Sequence, residues 1–283
     1  MKSNEINIRD PFVLLHDGKY YMYGTRGSEA WTDKSTGLDV YISDDLENWS
    51  DAIEVFTPPE NFWSHKNFWA PEVHYYKGNF YMFVSFVSDT RLRGTQILKA
   101  EKPEGPFVPH SDGPVTPESW QCLDGTFVVD DGKPYMVFCH EWVQVKDGEV
   151  WAVELSDDLK EAKGEPVYLF KASEPEWVDK TRETFVTDGP FAYRTEKGKL
   201  ILIWSSFYNH EYCQAMVYSD NGHIDGNWIH DTRLLFEKNG GHGMIFITKE
   251  DELKLVLHSP NQNPQERPVF FDLKEENDTL YIK

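Results

Sequence analysis

Asp10, Asp124, Asp188 and His242 stand in like surroundings. Each is followed within two residues by Gly or Pro and then by a run of aromatic and β-branched residues, and Glu72 opens a fifth such run. Carboxylates grouped in this way, without a nucleophilic Ser, Cys or Lys, suit general acid–base work. A protonated carboxyl gives its proton to a leaving oxygen while an ionised one draws a proton from water. In a chain with 15% aromatic residues, that pairing fits cleavage of a glycosidic bond, because sugars lay apolar C–H faces on flat aromatic floors. Phe68, Trp69, Trp120 and Trp142 fall beside the segments that carry the acids. Other chemistries lack their residues: His140-Glu141 is followed by Gln144 where a zinc motif needs His, and neither a Gly-rich phosphate loop nor a G-x-S-x-G elbow occurs.

The segments that must position these groups repeat. Arg9-Asp-Pro-Phe-Val-Leu-Leu-His-Asp-Gly-Lys-Tyr-Tyr-Met-Tyr23 has counterparts at Ala70–Phe83, Leu123–Phe138, Thr187–Trp204 and Gly241–His258. Each reads as a short strand, a tight turn and a second strand. Gly18, Gly78, Gly132 and Gly198 supply the positive φ such turns need. A third strand follows every hairpin, within Gly37–Trp49, Gly94–Phe107, Val150–Leu159, Gln214–Trp228 and Arg267–Leu273, and Thr279–Lys283 leaves room for a last fourth strand.

Taking Asp10, Glu72, Asp124, Asp188 and His242 as equivalent gives intervals of 62, 52, 64 and 54 residues. Repeats of this size, with several short strands each, describe propeller blades. The expectation is an all-β, five-bladed β-propeller with four-stranded antiparallel blades around a central axis. The chain then forms one domain over 1–283, with blades at roughly 9–60, 69–115, 122–175, 186–235 and 241–283. In a propeller the first strand of each blade lines the axis, so four carboxylates and one imidazole would converge on one mouth of the channel. Folding alone does not ask for this, since converging like charges destabilise one another.

Composition excludes other classes. With 48 acidic against 28 basic residues, the net charge of −20 repels nucleic acid and anionic lipid. No apolar run approaches a membrane span, and Met1–Arg9 lacks the apolar core of a signal peptide. The expected location is cytoplasmic and the expected partner a small oligosaccharide substrate, with no nucleic acid and no membrane. The sequence carries no signal for an oligomeric state. Cys122, Cys139 and Cys213 are odd in number and unpaired in spacing, which reads as buried reduced thiols.

The set Arg9-Asp10-Pro11, Trp69-Ala70-Pro71-Glu72, Leu123-Asp124-Gly125, Asp188-Gly189-Pro190 and Gly241-His242-Gly243 resembles glycoside hydrolase family 43. The likeness runs from Arg9 to about Phe271. It implies an inverting glycosidase of the α-L-arabinofuranosidase or β-xylosidase type, exo-acting on arabinose- or xylose-containing plant oligosaccharides. By resemblance Asp10 is the general base, Asp188 the general acid, and Asp124 the carboxylate that orients the acid and raises its pKa. Trp69 matches an aromatic of the sugar pocket and Arg267 a residue that reaches sugar hydroxyls. His242 matches an axial histidine that in relatives holds a calcium ion, largely through waters, or a water cluster. The chemistry itself requires no cofactor.

One position departs from the family pattern, which has Glu-Gly-Pro where this chain has Asp188-Gly189-Pro190. The missing methylene withdraws the carboxyl by about 1.5 Å. Inverting sites tolerate roughly 6.5–9.5 Å between carboxyls, so the loss can be absorbed. Asp also starts from a lower reference pKa than Glu, about 3.9 against 4.3, and needs more upward tuning to act as an acid. Three readings follow: Asp188 remains the acid in a shifted pocket, another residue such as Glu183 replaces it, or the site is a degenerate sugar-binding one. A mannoside phosphorylase on a similar frame is a further alternative. It would need a basic cluster near the acid, for which Arg182 and Arg194 are the candidates.

Overall fold

Twenty strands form five four-stranded antiparallel sheets, each from consecutive strands, in a computed structural model that describes all 283 residues. The first blade holds β1 (Ile8–His16), β2 (Lys19–Arg26), β3 (Leu38–Ser43) and β4 (Ile53–Phe56), and the second β5 (Lys66–Tyr76), β6 (Asn79–Val87), β7 (Gly94–Ala100) and β8 (Val108–Pro114). The third holds β9 (Cys122–Asp130), β10 (Lys133–His140), β11 (Glu149–Leu155) and β12 (Ala162–Lys171). The fourth runs β13 (Asp188–Arg194), β14 (Leu200–Tyr208), β15 (Glu211–Ser219) and β16 (Trp228–Phe236). The fifth runs β17 (Gly241–Ile247), β18 (Leu253–Ser259), β19 (Arg267–Glu276) and β20 (Thr279–Ile282). The inner strands β1, β5, β9, β13 and β17 touch in cyclic order, with β17 closing on β1. This is the five-bladed propeller that the repeats predict.

The second strand of each blade lies between neighbouring blades and is buried on both faces. Such strands read as unbroken apolar runs, as in Tyr20-Tyr-Met-Tyr23 and Leu200-Ile-Leu-Ile-Trp204, rather than as alternations. Asp17-Gly18, Lys77-Gly78 and Asp131-Gly132 have both residues at positive φ and join strands in register on either side. These are the two-residue turns whose twist matches that of the strands. All three cysteines are buried and free. No helix is long and apolar enough to cross a membrane.

Every inner strand breaks register at the same place. The two residues skipped are Asp10-Pro11, Ala70-Pro71, Asp124-Gly125, Gly189-Pro190 and His242-Gly243. The first member of each pair is left-handed, with φ of 53, 49, 57, 48 and 48°. Asp and Gly tolerate that conformation, and Pro or Gly fits the unpaired second position, where no ladder bond is required. The true equivalents are therefore Asp10, Ala70, Asp124, Gly189 and His242. This corrects the alignment drawn from sequence: Glu72 stands two residues beyond the bulge and Asp188 one before it.

The bulge turns one N–H per blade out of its ladder and toward the preceding blade. Ala70 N–H donates to Thr25 Oγ1 (2.8 Å), Asp124 N–H to Ser85 Oγ (2.9 Å) and His242 N–H to Ser205 Oγ (2.7 Å). Asp10 N–H donates to His258 Nδ1 (3.2 Å) and closes the ring without any strand borrowed from the opposite terminus. Thr25, Ser85, Ser205 and His258 occupy one position on the second strands, opposite Arg9, Trp69, Asp188 and Gly241. In the third blade that position is Cys139, opposite Leu123. A thiol is a weak acceptor, and Gly189 N–H instead donates to Asp124 Oδ2 (2.9 Å).

Ser85 is fully buried, and its Oγ accepts the Asp124 N–H of the latch. Replacing it by Ala leaves the buried Asp124 N–H unpaired, an expected loss of about 1–3 kcal/mol in urea unfolding. An unchanged midpoint would mean that the latch contributes nothing to stability.

Candidate active site

Three of the left-handed residues, Asp10, Asp124 and His242, deliver their side chains to one mouth of the axis, and Asp188 joins them from the position before Gly189. There, Asp10, Asp124, Asp188 and His242 line a cavity of about 300 Å³. Its walls are aromatic: Trp31, Trp69 and Trp142, with Val143 beside them. Arg9, Glu141 and Tyr212 add polar groups. A larger cleft of about 750 Å³ lies between the outer edges of the second and third blades, but it collects surface charges and no Trp, Tyr or Phe.

The carboxyls sit in unequal surroundings. Asp10 Oδ2 accepts from Thr25 Oγ1 (2.6 Å), the same hydroxyl that receives Ala70 N–H. Asp10 Oδ1 lies 3.2 Å from His242 Nδ1. Burial pushes the Asp10 pKa up, yet His242, Arg9 and the Thr25 hydrogen bond prevail, so it lies below the usual carboxylate range. Asp10 is thus ionised at neutral pH. The imidazole of His258 is the acceptor for Asp10 N–H, and burial beside Arg9 pushes its pKa down to about 3, so it stays neutral.

Asp124 and Asp188 are pushed the other way. Burial, with Asp188 and Asp10 near, raises Asp124 to about 7, against the pull of His242 and the Gly189 N–H. Burial, with Glu141 and Asp10 near, raises Asp188 to about 6, against His242 and a 3.0 Å hydrogen bond from Tyr212 Oη to Asp188 Oδ2. Burial would lower His242, but Asp10, Asp124 and Asp188 surround it and raise its pKa. Opposite displacement of neighbouring carboxyls is what acid and base need in order to work together.

Trp69 reaches the pocket as the sequence suggests, fixed by Nε1 donating to Ala30 O (2.7 Å). Trp142 also lines it, whereas Phe68 and Trp120 do not. Phe68 is core, and Trp120 stacks on His140 at 4.4 Å. Glu72 does not join the other carboxylates; two residues past the bulge, it pairs with His74 at 3.0 Å. The structure does not bring Arg267 to the pocket either. It starts the third strand of its blade, and its guanidinium donates to the carbonyls of Asn4, Pro264 and Glu266. The guanidinium at the pocket belongs to Arg9, held 2.7 Å from the fully buried Glu266 and 5.1 Å over Trp31. Arg9 adjoins Asp10 in sequence, a signal read only as part of the motif. Trp31, Glu141 and Tyr212 sit outside the repeated segments or on a third strand, and no spacing marks them.

Glu183 is absent from the lining. Arg194 is at the far end of its strand, bonded to Gly198, Gly222 and Asp130, and Arg182 lies over Phe207. Arg9 is the one basic residue besides His242 at the pocket, which leaves no cluster for phosphate. Trp177, on the Lys171–Thr184 stretch, lines a separate groove with Tyr208. A calcium ion takes six to eight oxygens. The axis offers one imidazole already turned to Asp10 and Asp124, and no group of three or more His, Cys, Asp or Glu is set to hold a metal ion. His242 would thus be the one protein donor on the axis, and a calcium ion there would take most of its ligands from water.

Residues 5–275 match the family model described as Glycosyl hydrolases family 43. The crystal structure of an endo-arabinase from Bacteroides thetaiotaomicron VPI-5482 is 35% identical, covers 98% of each chain and superposes with a TM-score of 0.89. The extracellular endo-α-(1→5)-L-arabinanase 1 of Bacillus subtilis is 29% identical over 159 residues, 51% of this chain and 46% of that protein. The extracellular exo-α-(1→5)-L-arabinofuranosidase ArbA of Cellvibrio japonicus is 25% identical over 174 residues, 56% and 46% of the two chains. The matches thus span about half the length of these curated relatives.

Asp124 has a folded pKa above its unfolded one, so the native state holds a proton that the unfolded state releases, and stability falls as pH rises from about 4 through about 7. Asp124→Asn removes that cost and keeps an acceptor for Gly189 N–H. The variant should gain on the order of 1–3 kcal/mol at pH 8 and little at pH 4. Melting curves at the two pH values check this, and a gain equal at both would contradict it.

Proposed function

This chain belongs to glycosyl hydrolases family 43, and on that premise we propose that it is an inverting hydrolase of arabinose-containing oligosaccharides. The observation that carries the reading is one aromatic-walled cavity holding a carboxyl kept ionised, Asp10, and one that burial lets hold its proton up to about pH 6, Asp188. Asp10 takes a proton from water as the water oxygen attacks the anomeric carbon. The bond from that carbon to the leaving oxygen breaks, and Asp188 gives its proton to that oxygen. Attack on the face opposite the leaving group inverts the anomeric centre. Solvent then returns the proton from Asp10 to Asp188. Asp124 holds the Asp188 side of the pocket in place through Gly189 N–H, and the charge of Asp188 helps burial keep the proton on Asp124.

Tyr212 offers a way to accommodate the short acid. Its hydroxyl occupies Asp188 Oδ2, so Oδ1 is left to carry the proton toward the substrate. No metal is needed for either proton transfer. The cavity, about 300 Å³, is at the small end of ligand sites and favours release of single sugars from a chain end. The 35% identity to an endo-arabinase supports internal cleavage as a second reading. A xylose-containing substrate is the alternative within the family.

Aryl α-L-arabinofuranoside and β-D-xyloside should be offered first, with Asp10→Asn protein as the blank. Turnover of one, lost in the variant, is the expected result; silence of the wild type on both would leave a sugar-binding site without catalysis. Asp188→Asn should cost about 10²–10⁴-fold on unactivated oligosaccharides and far less on the aryl glycoside, whose leaving group needs little acid. Products of linear arabinan, monosaccharide or mixed oligomers, separate chain-end from internal cleavage.

On oligosaccharides kcat/KM should fall as pH rises past about 6, where Asp188 loses its proton. A profile still rising at pH 8 would rule out Asp188 as the acid.

A further inference from the structure

Glu141 is the pocket carboxyl that the acid–base scheme leaves without work. It follows β10 directly and precedes the short helix α1 (Trp142–Val145). Its side chain is about nine-tenths buried and faces the same cavity as Asp188. Asp10, Asp124 and Asp188 each accept a hydrogen bond from the protein, from Thr25, Gly189 and Tyr212. Glu141 has only Arg93 beside it, with Nε 3.4 Å from Oε2 and no hydrogen bond made by that Nε.

Arg93 is itself held for this purpose. Its guanidinium lies 3.8 Å from the centre of the Trp69 ring, and Nη1 also lacks a partner. Indole, guanidinium and carboxylate therefore form one wall; burial raises the Glu141 pKa, and Arg93 opposes that rise and fixes where the carboxyl points. An ionised carboxylate has about four acceptor sites, and leaving them empty in a buried place is costly. Beyond Arg93 the protein supplies no donor to it, so the remaining acceptor sites are left for what enters the cavity. Two oxygens side by side match the two O–H groups of a vicinal diol.

We propose that Glu141 anchors adjacent hydroxyls of the sugar held in the pocket and is a specificity-determining residue of the site. The proposal rests on the reading above in taking a glycose as the occupant. It distinguishes hydroxylated sugars from deoxy analogues of the same shape, because an analogue without one hydroxyl leaves the carboxylate unpaired.

The test is calorimetric binding to Asp10→Asn protein, which does not depend on turnover. Methyl α-L-arabinofuranoside and methyl β-D-xylopyranoside would each be compared with their 2-deoxy and 3-deoxy forms. One parent glycoside should bind about 10- to 100-fold tighter than at least one of its deoxy forms. The same comparison in Asp10→Asn/Glu141→Leu should bring the ratio to within about threefold, and Glu141→Gln, which keeps the shape and one acceptor, should fall between. Overlaid melting curves establish that the variants fold. A ratio that persists in the Leu variant overturns the proposal, and so does a failure of both parent glycosides to bind. Loss of the hydrolase reading would look different: a wild type silent on the aryl glycosides while the Glu141-dependent ratio stands.

Discussion

The structure depends on a single N–H per blade that has left its own sheet. Each inner strand carries a bulge whose first residue is left-handed, and its amide must find an acceptor in the blade before it. That requirement ties the blades into a ring and, by turning the side chain of the same residue toward the axis, sets Asp10, Asp124 and His242 around one cavity. Folding and chemistry therefore share a device. The fourth blade shows what happens when the acceptor is missing: with Cys139 in the latch position, Gly189 N–H turns to Asp124, and a structural bond becomes part of the site. Only Gly fits there, since a Cβ would lie 2.5 Å from the His242 ring.

Gathering carboxyls at one mouth costs stability, and the protein distributes the cost unevenly. Asp10 receives the compensating partners: a hydroxyl, a guanidinium and His242. Asp124 and Asp188 receive fewer, and retain protons instead. The unequal environments follow from position along the bulge. Asp188 stands one residue before its left-handed neighbour, within reach of Tyr212, rather than at the bulge itself.

The walls of the cavity obey different rules from its floor. Trp69 belongs to an inner strand, but Trp31 comes from the connection between β2 and β3, and Glu141 and Trp142 from the end of β10. Arg9 is borrowed across the ring closure, held by Glu266 of the last blade. Connections of this kind can change without disturbing the latch, because none of them supplies its donor or its acceptor.

Repeat length, hairpin turns and apolar runs are local properties, so the number of blades, the order of strands and the identity of the axial segments were all legible in the chain. So were Asp10, Asp124, Asp188, His242 and Trp69, because each lies inside a repeated motif. The register was not. A bulge adds a residue to one strand without changing its composition, so Glu72 and Asp188 looked equivalent to Asp10 although backbone geometry places them two residues after and one before it. Arg267 was misassigned for a related reason: its charge is visible in sequence, but which strand of a blade carries it, and which carbonyls claim it, is settled only when the ring closes. Arg9, Glu141 and Tyr212 gained their places through contacts between blades far apart in sequence. Proton affinities went the same way, since burial and neighbouring charge exist only in the folded chain.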